Sequence, residues 1–330
     1  MTIVLNTSIL EKNDIPFETN VSLKNKTWIH RGGIANYWIQ PKTLDQLCVL
    51  VNYLNTEDMK FEIVGYSTNL YFQNDYSPEV VISTKSLKNF SDEENWIACE
   101  CGCSMRLLSE YCVNKGYSGY EGLIDLPGTV GGAVYNNSSC YKCSVSDLLI
   151  KIDYLNNEGK IITLSPHNLQ YKRRSSIFKR DIYNKWHGCI LNVYLKKDLN
   201  TNPSDILNKA KQNHEHRKEF QEGPKQNLGS VFIEISYKFI PRLIVKLLRK
   251  LCFVLYVDKK RTDRIINRTL LIFFGGIGLR KYVSKKTLNC FLWLDENSDR
   301  AFVKYRRFMK RISQSLELEI EIKKGDNDSF

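Results

Sequence analysis

A glycine-rich loop near the middle of the chain constrains the fold more than any other feature. It reads Glu121-Gly122-Leu123-Ile124-Asp125-Leu126-Pro127-Gly128-Thr129-Val130-Gly131-Gly132-Ala133. Glycines at 128, 131 and 132 allow close approach to the main chain, and their N–H groups can point at phosphate oxygens. The spacing fits neither GxGxxG nor GxxxxGK[ST], so neither a Rossmann nor a P-loop site is predicted. A tight structural turn is the alternative for this loop taken alone.

A second loop lies upstream of the first. Residues 61–64 read as a short buried strand, and the small polar loop Gly65-Tyr66-Ser67-Thr68-Asn69-Leu70 follows it. This loop offers hydroxyls, an amide and backbone N–H donors. The two loops together predict a cradle for a diphosphate.

The pair of loops resembles the FAD-binding segments of the UDP-N-acetylenolpyruvoylglucosamine reductase family, which read roughly G-x-G-S-N-L-L and G-I-P-G-T-V-G-G-A. Asn137 and Tyr141 fall at later family positions, and residues 27–35 resemble the family's T-x-x-R-x-G-G-x-A segment with the arginine one place later. The resemblance implies bound FAD and NADPH as electron donor. It implies FAD contacts at Gly65, Tyr66, Ser67, Thr68, Asn69, Leu70, Pro127, Gly128, Thr129, Gly131, Gly132, Ala133 and Asn137.

The expected fold class is α+β. Residues 1–198 are expected to form a FAD-binding domain of the PCMH, or vanillyl-alcohol-oxidase-like, type, with two subdomains split near 70–75. Residues 199–330 are expected to form a smaller α+β substrate-binding domain with a basic insertion at about 237–275. Periodicity predicts helices over 43–54, 105–115, 206–220 and 300–315, and strands over 80–84, 96–101, 148–155, 160–164, 230–233 and 316–322.

Three further segments match the family's active-site motifs. Leu228-Gly229-Ser230-Val231-Phe232 matches A-G-S-x-F, which gives Ser230 the role of proton donor. Residues 173–179 resemble Y-R-x-S-I-F-K and place the active-site arginine on Arg174, whose planar fork suits a carboxylate. Residues 318–322 resemble L-E-P-E-V and assign Glu321. Without the resemblance, these segments read as a structural turn, a solvated charge run and an exposed strand edge.

The resemblance therefore implies NADPH-driven, FAD-dependent reduction of UDP-N-acetylglucosamine enolpyruvate to UDP-N-acetylmuramate, a step of peptidoglycan precursor synthesis. The family's K-N-P after S-x-F is replaced here by Ile233-Glu234-Ile235, and a carboxylate there would repel a diphosphate. Two alternatives are open, and this loss favours the first. One is a FAD-dependent oxidoreductase of another sugar in surface polysaccharide synthesis, and the other is a catalytically silent scaffold at the membrane.

The net charge of +12 is concentrated in one segment. Fourteen Lys/Arg and two Asp lie between Tyr237 and Lys286, and the remainder is neutral. A nucleic-acid partner is not expected from this distribution. The spacing of basic and apolar residues over 238–257 predicts a basic amphipathic helix. This helix either contacts an anionic membrane surface or packs on the second domain with its basic face exposed to solvent. The N-terminus shows no signal peptide, which predicts a cytoplasmic location.

Ten cysteines are expected to be reduced in that compartment. Cys99, Cys101 and Cys103 alternate, which places them on one face of a strand, and Cys140 and Cys143 form a single CxxC. A zinc or iron–sulfur site is the functional hypothesis for this pattern. The 99–103 run is apolar, no second CxxC is present and histidine is scarce, so no metal is predicted.

Overall fold

The computed structural model describes residues 5–180, 188–223 and 226–324. Ten α-helices lie in those residues: α1 (Ser8–Lys12), α2 (Leu44–Thr56), α3 (Met105–Asn114), α4 (Val130–Tyr135), α5 (Val145–Leu148), α6 (Pro166–Leu169), α7 (Pro203–Phe220), α8 (Phe239–Val254), α9 (Lys259–Phe273) and α10 (Ser298–Ile312). The same residues form thirteen strands: β1 (Phe17–Ser22), β2 (Ile34–Ile39), β3 (Phe61–Val64), β4 (Leu70–Phe72), β5 (Val80–Ser83), β6 (Phe90–Asp92), β7 (Trp96–Glu100), β8 (Ser139–Cys140), β9 (Cys143–Ser144), β10 (Leu149–Leu155), β11 (Ile161–Leu164), β12 (Cys189–Lys196) and β13 (Glu321–Lys323).

The chain divides into two compact units. Unit 1 comprises residues 1–26, 32–67 and 74–214, and unit 2 comprises residues 27–31, 68–73 and 215–330. The chain therefore passes between units several times, first within the segment that leads to β2 and later between Ser67 and Thr68. The α+β class expected from the sequence is confirmed. The domain boundary at 198/199 stays a prediction.

Unit 1 contains two main sheets. The first has the order β1-β2-β5-β3, in which β5 runs parallel to β2 and β3, and β1 is antiparallel to β2. Helix α2 is capped by Thr43, whose side chain accepts a hydrogen bond from the Gln46 amide, and it buries a leucine and valine face against this sheet. The chain leaves this sheet at Ser83 and enters the second sheet at Phe90.

The second sheet is antiparallel, with the order β11-β10-β12-β7-β6. The predicted hairpin is present as β10 and β11. Side chains of β12 alternate between buried and more exposed positions, as expected for a strand with one face on a core. Helices α3 and α4 contribute to that core, together with Ile97, Val193 and Leu195.

The alternating cysteines do not share a face as predicted. Strand β7 ends at Glu100, so the chain turns and Cys101 packs with Leu155 and Cys189 in one apolar cluster, whereas Cys99 and Cys103 pack in another. Burial raises the pKa of the Cys101 thiol to about 12, which disfavours the thiolate that metals bind. No group of three or more His, Cys, Asp or Glu side chains suited to a metal occurs in the described part of the chain.

Unit 2 is organised around a cluster of buried aromatic rings. Phe302 and Tyr305 on α10 pack against Phe291 and Trp293, and Tyr71 of β4 contacts the same group. Strand β4 runs parallel to β13. None of the described helices is long and apolar enough to cross a membrane.

Two strand predictions in unit 2 are wrong in extent. Residues 230–233 form no strand, and the closing strand covers Glu321–Lys323 instead of 316–322. These two segments do approach each other, because Ile233 donates to the carbonyl of Glu317 and Glu319 donates to that of Val231. The pairing is a single isolated antiparallel bridge between Phe232 and Leu318, so the two segments do not form strands of a sheet. The predicted basic helix is present as α8, and α9 was not predicted.

Candidate active site

Thr129 organises the glycine-rich loop. It precedes α4, and its Oγ1 accepts a hydrogen bond from the Gly132 amide at 3.2 Å. The Gly131 amide donates to the Cys101 carbonyl at 2.8 Å. A Cβ at 131 would lie 2.8 Å from the Cys101 Cβ, so glycine is needed there for close packing. The amides of 131 and 132, predicted to point at a ligand, both already have acceptors inside unit 1.

The two predicted cofactor loops contact each other in unit 1. A Cβ on Gly65 would overlap Thr129 Oγ1 and lie 2.7 Å from its Cγ2, so only glycine allows this approach. Among the described residues, the amides of Gly65, Tyr66, Gly128 and Thr129 have no hydrogen-bond acceptor. Four backbone donors on two contacting loops fit a diphosphate, since backbone amides are the usual anion ligands of such loops. The residues present therefore fit FAD.

Asn137 has a structural role next to this loop. Its backbone φ is 43°, its Nδ2 donates to the Lys172 carbonyl at 3.1 Å, and its Oδ1 accepts from the Ser146 amide. These bonds attach the end of α4 to the turn that carries Arg174. Its side-chain amide is therefore already used within unit 1, and its contact with FAD stays a prediction.

Arg174 occupies a tight turn in unit 1. Lys172 and Ser175 exchange backbone hydrogen bonds across the turn, and Arg174 itself has a φ of 57°. The Ser176 hydroxyl donates to the Tyr135 carbonyl at 2.6 Å, which attaches the turn to the end of α4. An arginine in the left-handed region carries a conformational cost that the neighbouring bonds must offset. Arg174 is half-buried as a residue, and the hydrogen bonds of its neighbours fix its backbone.

Ser230 lies on an exposed turn in unit 2. Gly229 before it has a φ of 75°, a conformation that favours glycine, and the Gly229 amide donates to Asn227 Oδ1. Its hydroxyl has no partner among the described residues. An exposed hydroxyl without an intramolecular bond is free to meet a substrate.

Asn289 fixes the chain on the other side of Ser230. Its side chain accepts from the Phe232 amide at 2.9 Å and donates to the Phe232 carbonyl at 2.6 Å, and its carbonyl accepts from the Val231 amide. Sequence reasoning missed this role. The available signal was Asn289 itself. Residues 284–290 resemble the family segment S-x-x-H-x-N-F, and they keep its asparagine but lack its histidine.

Glu321 belongs to unit 2 and lies beside residues 69 and 70, the last two of the Gly65–Leu70 loop. Its amide donates to the Asn69 carbonyl at 2.9 Å, and it is paired with Leu70 across β4 and β13. Asn69 Nδ2 also donates to the Glu319 carbonyl at 3.1 Å. Because Glu319 bonds to Val231, unit 2 brings the segments of Ser230 and Glu321 and residues 68–70 together.

A separate basic basin in unit 2 contains none of the predicted site residues. It has a volume of about 640 Å³ and is lined by residues of α10 and of the segment after α9. Its cations are Lys281, Arg300, Lys304, Arg307 and Arg311. Lys281 is engaged by Asp295 at 2.7 Å. The basin is therefore not part of the candidate active site.

Comparison with known proteins shows what the chain resembles. Residues 35–165 match the family model described as FAD binding domain, which covers both cofactor loops. The UDP-N-acetylenolpyruvoylglucosamine reductase of Caldicellulosiruptor saccharolyticus is 28% identical over 71% of this chain and 74% of its own. The enzyme of the same name from Caldanaerobacter subterraneus is 27% identical over 81% of this chain and 87% of its own. The enzyme of the same name from Petrotoga mobilis is 34% identical over a shorter match, which covers 48% of this chain and 54% of its own.

The fold agrees with a solved structure over nearly its whole length. The crystal structure of UDP-N-acetylenolpyruvylglucosamine reductase from Thermus caldophilus superposes with a TM-score of 0.64 at 20% identity. The match covers 94% of this chain and 99% of the other. Likeness at this identity establishes the shared fold.

Proposed function

We propose that this chain, a divergent member of the UDP-N-acetylenolpyruvoylglucosamine reductase family, uses FAD and NADPH to reduce UDP-N-acetylglucosamine enolpyruvate to UDP-N-acetylmuramate. The observation that carries the proposal is the exposed hydroxyl of Ser230, which has no partner within the described ranges and lies on a turn bonded to the segment before Glu321. The relatives of that name, which match most of this chain, support the substrate.

The cofactor would be held by the two contacting loops of unit 1. The amides of Gly65, Tyr66, Gly128 and Thr129 would bind the diphosphate, and the absence of a side chain at 65 keeps the two loops in contact. When bound and reduced, FAD supplies a hydride to the enol ether. NADPH as the source of the electrons follows from the family.

The remaining chemistry belongs to side chains of this protein. Ser230 Oγ donates the proton to the carbon next to the one that receives the hydride. Arg174 binds the substrate carboxylate through its planar fork. Glu321, acting as an acid, donates a hydrogen bond to the enolic form of that carboxylate, where negative charge develops during the reaction. The three roles are carried over from the family motifs and are proposals for this chain.

Replacing Ser230 tests the proposal, because it separates the two halves of the reaction. In the Ser230→Ala variant, NADPH should still reduce the flavin at the wild-type rate. Reoxidation by UDP-N-acetylglucosamine enolpyruvate should slow by about 10² to 10⁴, the usual contribution of a positioned proton donor. Stopped-flow absorbance of the flavin measures both steps.

Ser315→Ala is the matched control, because Ser315 is also exposed in unit 2 and lies outside the assigned residues. Both its half-reactions should equal those of the wild type. Reoxidation of Ser230→Ala at the wild-type rate would remove Ser230 from the reaction and the proposal with it.

A FAD-dependent oxidoreductase of another sugar is the second candidate, and Glu234 is the observation that favours it. This exposed carboxylate lies four residues after Ser230, where the family has the asparagine of K-N-P. If the substrate is a UDP-sugar, Glu234→Asn should lower its KM, because a negative charge near the diphosphate is removed. If reduced enzyme is reoxidised by another sugar and not by the UDP-linked enol ether, the second candidate replaces the first.

Other expectations from the sequence are independent of these tests. The cytoplasmic location, the lack of a nucleic-acid partner and the peripheral membrane contact over 238–257 stay predictions. The contact concerns helix α8 and the turn after it, and none of the residues assigned to the reaction lies there.

A further inference from the structure

Helix α8 has two apolar faces, and only one of them is covered. Pro241, Val245 and Cys252 are buried, and Ile244 and Leu248 pack on the same side against the core of unit 2. This face accounts for the way α8 is attached to unit 2. It does not account for the other apolar residues of the helix.

The second apolar face is open to solvent. Its residues follow one another at intervals of three or four, which places them in a single stripe along α8. They are Ile240, Leu243, Leu247, Leu251 and Val254, all exposed, with Leu247 at 68%. A soluble surface helix normally has polar side chains at such positions. Packing of the helix on the second domain, the other alternative from the sequence, explains the buried face but does not explain this exposed stripe.

The turn between α8 and α9 extends the stripe. Phe253, Val254, Leu255 and Tyr256 are consecutive and all exposed, Phe253 at 82% and Tyr256 at 97%. Aromatic residues at the tip of a helical hairpin are typical of segments that enter a lipid headgroup region, because one end of the ring is apolar and, in tyrosine, the other is polar.

Positive charge borders the apolar surface on both helices. Residues 239–273 contain nine Lys/Arg and two Asp. On α8, Arg242, Lys246, Arg249 and Lys250 occupy the face between the exposed stripe and the buried one. One of the two acidic residues, Asp258, is already engaged, since it caps α9 at the Arg261 amide and pairs with the Arg261 guanidinium.

We propose that the hairpin of α8 and α9 binds the surface of a bilayer that contains anionic lipids, with the stripe and the tip in the boundary between headgroups and acyl chains. The cations then lie at the lipid phosphates, and each one near the surface strengthens binding. Helix α8 has 16 residues, fewer than the about 20 that a span requires, so it lies along the surface.

Charge complementarity favours this partner over two others. A second copy of the chain would bring two strongly basic faces together, which is unfavourable. A nucleic acid would neutralise the cations but leave the apolar stripe in water. Only an anionic bilayer accepts both the charge and the apolar surface.

Co-sedimentation of the full-length holoprotein with lipid vesicles tests the proposal. At low salt, the protein should pellet with vesicles of mixed phosphatidylcholine and phosphatidylglycerol, and it should stay in solution with phosphatidylcholine alone. Raising the salt should release part of the bound protein, because screening weakens the attraction of the cations. Absence of pelleting with the anionic vesicles at low salt overturns the proposal.

Two variants separate the apolar and charged contributions. Leu247→Gln combined with Phe253→Ser, and Lys246→Glu combined with Lys250→Glu, should each lower the partition coefficient by about tenfold or more. Ile161→Ser, an exposed apolar residue of unit 1, is the control and should bind as the wild type. All variants should retain helicity and the wild-type rate of flavin reduction, so failure to bind lipid is distinguishable from failure of the reductase proposal.

Two other outcomes would replace the bilayer by a different partner. If the wild type forms a dimer in sedimentation velocity and Leu247→Gln with Phe253→Ser is a monomer, the stripe is a contact between copies of this chain. If a DNA oligonucleotide displaces the protein from vesicles and the tip variant keeps its affinity for DNA, the cations serve nucleic acid. Either result contradicts the proposal.

Discussion

Single residues in this chain determine whether the cofactor loops can form. Gly65 is the clearest case, because any Cβ there meets Thr129, the residue that also caps α4 through Gly132. Recognition of the two loops needed only their sequence. Their contact through Gly65 and Thr129 could not be predicted, since it depends on tertiary packing between segments about sixty residues apart.

Substitution of Gly65 by alanine should weaken FAD binding. The added Cβ forces Thr129 to move and disturbs the loop, at a cost of about 1–3 kcal/mol. A cost of about 1.4 kcal/mol corresponds to a tenfold higher dissociation constant, which fluorescence titration of the apoprotein with FAD measures. Gly278→Ala is the control, because a Cβ there has no neighbour within 4 Å. Equal affinity of the two variants would contradict the assignment of the loop.

Asn289 acts as a positioning residue for Ser230. Asn289→Ala leaves the buried Phe232 amide and carbonyl without their partner, which costs about 1–3 kcal/mol. The kcat for substrate reduction should fall, whereas reduction of the flavin by NADPH should stay unchanged. Asn297→Ala, at an exposed position of unit 2, is the control. A purely structural role would slow both half-reactions together.

At the level of elements, helices with regular apolar spacing could be predicted from the sequence, whereas irregular strand pairing could not. Helices α2, α3, α7 and α10 follow their apolar spacing and begin within a few residues of the predicted positions. The predicted strand over 316–322 fails because its first part meets only one bridge to Phe232. Alternation of side chains is a local signal, whereas a strand requires a partner at the right distance.

A cluster around Asp92 joins β6 to α3 and to the residue after β12. Asp92 accepts hydrogen bonds from Tyr111 and Tyr117, both at 2.9 Å, and pairs with Lys197 at 2.6 Å. Burial raises the pKa of Asp92, but the bonds from Lys197 and the two tyrosines outweigh it and hold the pKa below the ordinary value of 3.8.

This cluster should make the stability of unit 1 depend on pH in the acid range. A carboxyl whose pKa is lower in the folded state stabilises the fold above its unfolded pKa, and the contribution is lost as pH falls through the folded pKa. The stability difference between the wild type and Asp92→Asn should therefore be largest near neutral pH and shrink below 3.8. Urea unfolding at a series of pH values measures it. A difference for Asp92→Asn that does not change with pH would refute the linkage.

At the level of the whole molecule, FAD binding is more strongly supported than the identity of the substrate. The match to the FAD binding domain covers 35–165, whereas the departures from the family concern the residues after Ser230 and the 284–290 segment. The two-unit organisation was only partly predictable. The short segments 27–31 and 68–73 belong to unit 2, although they are far in sequence from its remainder, because their contacts are long-range.

The visible absorption spectrum of the purified protein through one anaerobic cycle tests whether this chain is a flavin-dependent reductase of the enol ether. NADPH is added first and UDP-N-acetylglucosamine enolpyruvate second. An oxidised flavin spectrum should be bleached by NADPH and restored by the enol ether, with UDP-N-acetylmuramate as the product. A colourless protein that takes up no added FAD, or a bleached flavin that the enol ether does not restore, would contradict it.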